Sequence, residues 1–214
     1  LAIPEFRAAL AQVGEWVAMY RDSVGGLPVL PAVRPGQTAA AFPVAPPECG
    51  DATERWLEDL DRIVVPAVTH WNHPGFMAYF GITGSAPGIL GELVSAALNS
   101  NGMLWKTCPA LTELEQVVLR WLAAALGLPT AWFGMITDTA STSTLVALAA
   151  AREAAGISAR DEGLSGKPPL VLYCSEEAHS SVDKAAIMLG IGRSGVRRIP
   201  SDDSFRMRVD ALEA

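Results

Sequence analysis

PPLVLYCSEEAHSSVDKAAIMLGIGRSGVRRI, running from Pro168 to Ile199, reads as a strand, a helix and a second strand. Two prolines introduce Leu170, Val171, Leu172, Tyr173 and Cys174, a short and almost continuously apolar run of the kind seen in buried parallel strands. A helix is expected from about Ser180 to Leu189 and a second strand from Val196 to Ile199. The unit is therefore β-α-β, and the fold class is α/β with a largely parallel sheet. Within it, GIGRSG at Gly190 to Gly195 matches the dinucleotide pattern G-x-G-x-x-G letter for letter. A nucleotide fingerprint needs a strand before it and a helix after it, and here the order is reversed. These glycines are read as a helix stop and a turn.

Upstream of this unit, a helix is expected from about Ser141 to Arg152, behind a cluster of Thr and Ser suited to capping. Another is expected to start at Thr112, with Thr112 and Glu115 as a capping box and Leu114, Val117, Val118, Trp121, Leu122 and Ala125 as its buried stripe; Gly127 and Pro129 close it. At the start of the chain, Phe6, Leu10, Val13, Val17 and Tyr20 share one helical face. The six prolines between Gly25 and Gly50 forbid a long helix there and predict an irregular strap. Helical pattern resumes at Asp51 and is interrupted by Pro66.

With 50% hydrophobic and 18% charged residues over 214, the chain can bury a core. The net charge of −7, with Arg197 and Arg198 as an isolated basic pair, argues against a nucleic-acid partner. Neither a membrane span nor a signal peptide is visible in the sequence. Cys49, Cys108 and Cys174, odd in number and without CxxC spacing, favour reduced packing thiols and a cytoplasmic protein.

Three places could carry chemistry. Six of the eight residues from Thr137 to Thr144 bear hydroxyls, at the start of a helix. Free N–H groups and the positive helix end would attract a phosphate there, although the same residues also serve as plain caps. SEEAHSSVD at Ser175 to Asp183 follows the carboxyl end of a strand, where ligands of open α/β sheets gather. His179 in that segment is a candidate for ring stacking or proton transfer, beside the bland reading of an ordinary polar residue. Trp71, Phe76, Tyr79 and Phe80 lie among Pro and Gly and either wall an apolar pocket or pack a core. His70 and His73 have an i, i+3 spacing but no carboxylate or cysteine nearby, so no metal is expected.

Four segments in register, THWNHPGFMAYF at Thr69 to Phe80, CPALTELEQVVLRWL at Cys108 to Leu122, TASTSTLVALAAAR at Thr139 to Arg152 and EEAHSSVDKA at Glu176 to Ala185, resemble the aromatic-amino-acid decarboxylases, the group II pyridoxal-phosphate-dependent decarboxylases. The likeness covers nearly the whole chain and corresponds to the N-terminal half of such enzymes. It implies a fold type I, aspartate aminotransferase-like large domain, preceded by an N-terminal helical segment. The expected division is 1–80 for that segment with its strap and 81–214 for the first, incomplete part of the large domain.

The resemblance also implies roles. Pyridoxal 5'-phosphate would be held through Thr139, Ala140 and Ser141, with His179 stacked on its ring as the catalytic residue and Ser180 beside it. Trp71, Tyr79, Phe80, Ile82 and Thr83 would line the substrate pocket, and Asn101 and Met103 would reach the pocket of a partner subunit in a homodimer. The implied reaction converts an L-amino acid, aromatic in the family, to its amine and CO2. Alternatives are an aldehyde-forming or glutamate-type enzyme and a noncatalytic assembly fragment. The family commonly reads Tyr-Phe-Pro-Thr where this chain has Tyr79, Phe80, Gly81, Ile82, so a hydroxyl near the substrate carboxylate is absent or supplied by Thr83. The family's Schiff-base lysine and ring-pairing aspartate lie in a C-terminal remainder, and Lys106, Lys167 and Lys184 match no such motif.

Overall fold

Pro4 sits in the first turn of helix α1 (Ile3–Ser23), where its missing N–H is no loss, and the Glu5 carboxylate accepts the Ala2 N–H at 2.9 Å. The computed structural model describes residues 1–79, 81, 84–129 and 131–213. They fall into two units, Leu1–Asn99 and Ser100–Ala214. In the first, the proline-rich strap is irregular apart from one short turn of helix, α2 (Gln37–Ala40). Helix α3 (Thr53–Asp59) widens into a π-helical turn at Leu60–Val64 and a 3-10 turn at Val65–Ala67, because Pro66 has no N–H to continue regular bonding. Trp16 Nε1 donates to Asp61 Oδ1 at 2.8 Å, which ties α1 to this segment. Helix α4 (Ala86–Leu98) is capped by Ser85, whose Oγ accepts the Gly88 N–H at 3.1 Å.

In the second unit, helix α5 (Pro109–Ala125) starts three residues before the expected Thr112. Pro109 is pre-set for a first helical position. The Thr112 hydroxyl donates back to Cys108 O at 2.9 Å instead of capping, and Glu115 Oε1 accepts the Ile136 N–H at 2.7 Å. The stripe expected to be buried is also open: Leu114 is 56% exposed, Trp121 67% and Leu122 52%. Helical periodicity identified the apolar face correctly, but nothing among the described residues covers it. Trp132 and Phe133, likewise exposed, join Leu119, Leu122, Ala123, Leu126 and Leu128 around an apolar groove of about 520 Å³.

Helix α6 (Ala140–Ala154), the short α7 (Ala159–Glu162), strand β1 (Leu172–Ser175), helix α8 (Ser181–Met188), strand β2 (Val196–Ile199) and helix α9 (Val209–Glu213) complete the unit. The strands pair in parallel, Leu172 with Val196 through Ser175 with Ile199, so the expected β-α-β unit is present. After α8, Gly190 and Gly192 take φ +77° and +79°, and the N–H groups of Ile191 and Gly192 return to Ala186 O. GIGRSG is thus a helix stop leading into β2, as its context required.

Helices α6 and α8 pack on one another, and α8 places Ala185 and Ala186 in the interior at 1% and 0% exposure. In a close-packed interior, added methylenes must displace their neighbours. Ala186→Leu is expected to destabilise the folded protein by about 1–3 kcal/mol through overpacking, read as a lower denaturant midpoint at unchanged slope. No helix among the described residues is long and apolar enough to cross a membrane.

Candidate functional site

Thr139 is the N-cap of α6: it has extended backbone angles, and its Oγ1 accepts the Thr142 N–H at 3.2 Å. The Ser143 N–H bonds Thr139 O at 3.0 Å. The N–H groups of Ala140 and Ser141 make no hydrogen bond among the described residues. They are the orphan donors that every helix start leaves, here at an exposed end and carrying the positive pole of the helix dipole. Around them, Thr137 Oγ1 and Ser143 Oγ lie 2.5 Å apart, Thr139 Oγ1 and Thr142 Oγ1 3.1 Å apart, and Thr144 Oγ1 donates to Ala140 O at 2.9 Å. Most hydroxyls of the cluster are thus occupied in shaping the turn. The Ser141 hydroxyl is exposed and makes no such bond, so Thr139 caps the helix while the N–H groups of Ala140 and Ser141 stay without a partner among the described residues.

The first turn of α8 adjoins this one. Thr144 Oγ1 and the buried Ser181 Oγ are 3.4 Å apart, linking the two helix starts directly. His179 and Ser180 stand just before α8, both exposed. The Ser181 N–H donates to His179 Nδ1 at 3.2 Å. An imidazole that accepts at Nδ1 carries its proton on Nε2 when neutral, so the ring is oriented and its tautomer is set. Phosphate-sized anion binding, ring stacking and a donor at Nε2 are all available to a flat, phosphorylated cofactor at this place, and the donor set fits such a group.

The other expected residues are arranged differently. In the first unit, Trp71 stacks on Tyr79, 5.6 Å between centroids at 4°, and on Phe76 at 4.8 Å. Trp71 and Tyr79 are 48% and 87% exposed, so this cluster is an open aromatic surface and not a packed core. Tyr79 holds a positive φ of 57°, an unusual state for a bulky residue. Phe80, Ile82 and Thr83 lie outside the described residues. Asn101 Oδ1 accepts the Met103 N–H at 2.8 Å, a local turn whose bonds do not reach α6 or α8. His70 is buried at 3% exposure with Nδ1 2.7 Å from the Tyr20 hydroxyl, and burial pushes that phenol up. His73 uses Nε2 on Gly25 O and Nδ1 on the Gly75 N–H. The His73 ring therefore organises backbone, while the His70 ring pairs with a side chain.

Arg198 stands out in the sequence only as half of a basic pair. In the fold its guanidinium reaches Asp183 at 2.7 Å and the carbonyls that lead up to His179. The available signal is strand alternation, which puts Arg197 and Arg198 on opposite faces of β2.

Known proteins resemble this chain in sequence and in fold. Residues 35–214 match the conserved domain of pyridoxal-dependent decarboxylases. The aromatic-L-amino-acid decarboxylase of Rattus norvegicus is 37% identical over 97% of this chain and 45% of its own length. The crystal structure of Oryza sativa TDC with PLP and tryptamine superposes with a TM-score of 0.89 at 32% identity, over 99% of this chain and 47% of that one. Rhodiola rosea 4-hydroxyphenylacetaldehyde synthase gives the same TM-score and identity over 99% of this chain and 46% of that one. The chain therefore spans somewhat under half the length of these relatives. It has the α/β fold of the fold type I enzymes expected from its sequence, and it belongs to the family of pyridoxal-dependent decarboxylases.

Proposed function

We propose that this chain supplies the phosphate-binding and ring-stacking part of a pyridoxal-phosphate-dependent carboxy-lyase that converts an aromatic L-amino acid to its amine and CO2. The observation that carries the reading is the pair of linked helix starts, with free N–H groups at Ala140 and Ser141 on one and the oriented His179 on the other. When bound, pyridoxal phosphate supplies the electron sink that decarboxylation requires. The chain's own residues do the rest of this half-site's work. Ala140 and Ser141 hold the phosphate by backbone N–H donors, and Thr139 fixes the turn that aims them. His179 presents its ring face to the pyridine and keeps a proton at Nε2. Trp71 and Tyr79, with Phe80, Ile82 and Thr83, offer the apolar wall for a substrate ring, and Asn101 with Met103 serves the partner's pocket.

The exposed stripe of α5 supports a C-terminal remainder of the enzyme as its cover, and the strap within 1–80 supports a homodimer in which that segment wraps the partner subunit, with 81–214 beginning the large domain. Three free thiols support a cytoplasmic setting. An aldehyde-forming activity is the second reading, because the Rhodiola synthase overlays this chain as well as the Oryza TDC does.

The test is a panel of L-amino acids given to the complete protein with pyridoxal phosphate, following CO2 and the organic product. Amine in equal yield with CO2 from aromatic substrates is the expected result. Aldehyde with CO2 selects the second reading. Cofactor bound without CO2 release from any substrate would refute catalysis and leave an assembly role.

A further inference from the structure

The side chain of Arg198 brackets His179 without touching it. Its Nη1 donates to Ala178 O at 3.0 Å, Glu176 O at 3.2 Å and Ser175 O at 3.4 Å, while Nη2 donates to Asp183 Oδ2 at 2.7 Å. Two hydrogens on Nη1 are shared among three carbonyls, and the shortest bond goes to the residue immediately before His179. Asp183 lies in the first turn of α8, four residues after His179. One guanidinium therefore grips the chain on both sides of the imidazole. An ordinary surface ion pair engages one carboxylate and contributes little. Here the two side chains are only 33% and 22% exposed, and the planar fork of Arg satisfies backbone acceptors that a point charge would reach one at a time.

The same segment is tied to the end of β2 by other bonds. The Glu176 N–H donates to Ile199 O at 2.9 Å, the Ser201 N–H to Glu176 Oε1 at 2.7 Å, and Ser175 Oγ lies 3.0 Å from Ser201 Oγ. The turn carrying His179 thus takes its position from β2, with Arg198 making the most hydrogen bonds among these ties. We propose that Arg198 is a positioning residue for the cofactor ring, acting through His179 by fixing the carbonyls of Ser175, Glu176 and Ala178 and the carboxylate of Asp183. The inference rests on the reading of His179 as the residue that faces the ring.

The test uses the complete protein loaded with pyridoxal phosphate and the variants Arg198→Met, Arg198→Lys and Asp183→Asn. Three readouts are followed: amide hydrogen exchange of the segment 176–182, the circular dichroism of the bound cofactor, and kcat separately from KM. Arg198→Met is expected to speed exchange about tenfold or more in that segment, to weaken the cofactor's dichroism, and to lower kcat about tenfold with KM within twofold, since small misplacements of a ring cost rate more than binding. Arg198→Lys should recover part of each, by keeping the Asp183 pair but losing most carbonyl bonds. A merely structural arginine would lower the unfolding midpoint but leave dichroism per bound cofactor and kcat per active site unchanged, and that result overturns the proposal. If Arg198→Met does not fold, Arg198→Lys and Asp183→Asn are judged by the same three readouts. His179→Ala serves as the reference. Unchanged dichroism in that variant would show that the reading of His179 itself has failed, whereas a change there with none in the Arg198 variants would show that only the positioning role has failed.

Discussion

Ser141→Asp is expected to lower the affinity of the complete protein for pyridoxal phosphate by about a hundredfold or more, because two like charges about 4 Å apart repel by roughly 4 kcal/mol at an effective dielectric of 20. The new carboxylate would stand at the N–H groups of Ala140 and Ser141, the donors left free at the start of α6. The fold should not suffer. Ser141 is exposed and its hydroxyl holds nothing in place, and an acidic residue in a first helical turn stabilises the helix by about 0.3–1 kcal/mol. Binding and stability therefore move in opposite directions, which no general damage to the protein would reproduce. The check is a cofactor titration beside a denaturant melt of the apoprotein. Ser141→Ala, which keeps the backbone N–H, should cost the affinity less than tenfold, as expected for one neutral hydrogen bond.

His179→Ala is expected to reduce kcat by about a hundredfold to a thousandfold and cofactor affinity by about tenfold, the first from loss of an oriented proton donor and the second from loss of a stacked ring. His179→Phe separates the two: it keeps a flat face and should bind the cofactor within a few-fold of the unaltered protein, yet it cannot restore kcat. Steady-state rates at saturating cofactor, with the dissociation constant measured separately, check both. Equal kcat in the Phe variant and the unaltered enzyme would mean that stacking alone is the role of this residue.

Much of this architecture can be read from residue order. The β-α-β unit is legible because an apolar run, a helical stretch and a second short run follow one another between clear stops, and the reversed context of GIGRSG is enough by itself to exclude a nucleotide site. The first strand begins at Leu172 and not at Leu170, since pairing can start only where β2 does, at Val196. The start of α5 differs from expectation because Thr112 and Glu115 imitate a capping box, while Pro109 is the stronger start and the Thr112 hydroxyl turns back to Cys108 O. Periodicity marks the apolar face of α5 but carries no information about what covers it, so a stripe expected to be buried is open. At the site, the local pieces, Thr139 as cap and His179 after a strand, are legible. Their connection through Thr144 and Ser181 and the grip of Arg198 are not, because both join residues 15 or more positions apart that only folding brings together.

On the proposed reading, the linked starts of α6 and α8 hold the cofactor. A crystal structure of the complete protein loaded with pyridoxal phosphate tests it most directly. The expected result is a phosphate oxygen within hydrogen-bond distance of the Ala140 and Ser141 N–H groups and a pyridine ring lying against the imidazole of His179. A phosphate held at another helix end, or a ring out of contact with His179, would contradict it.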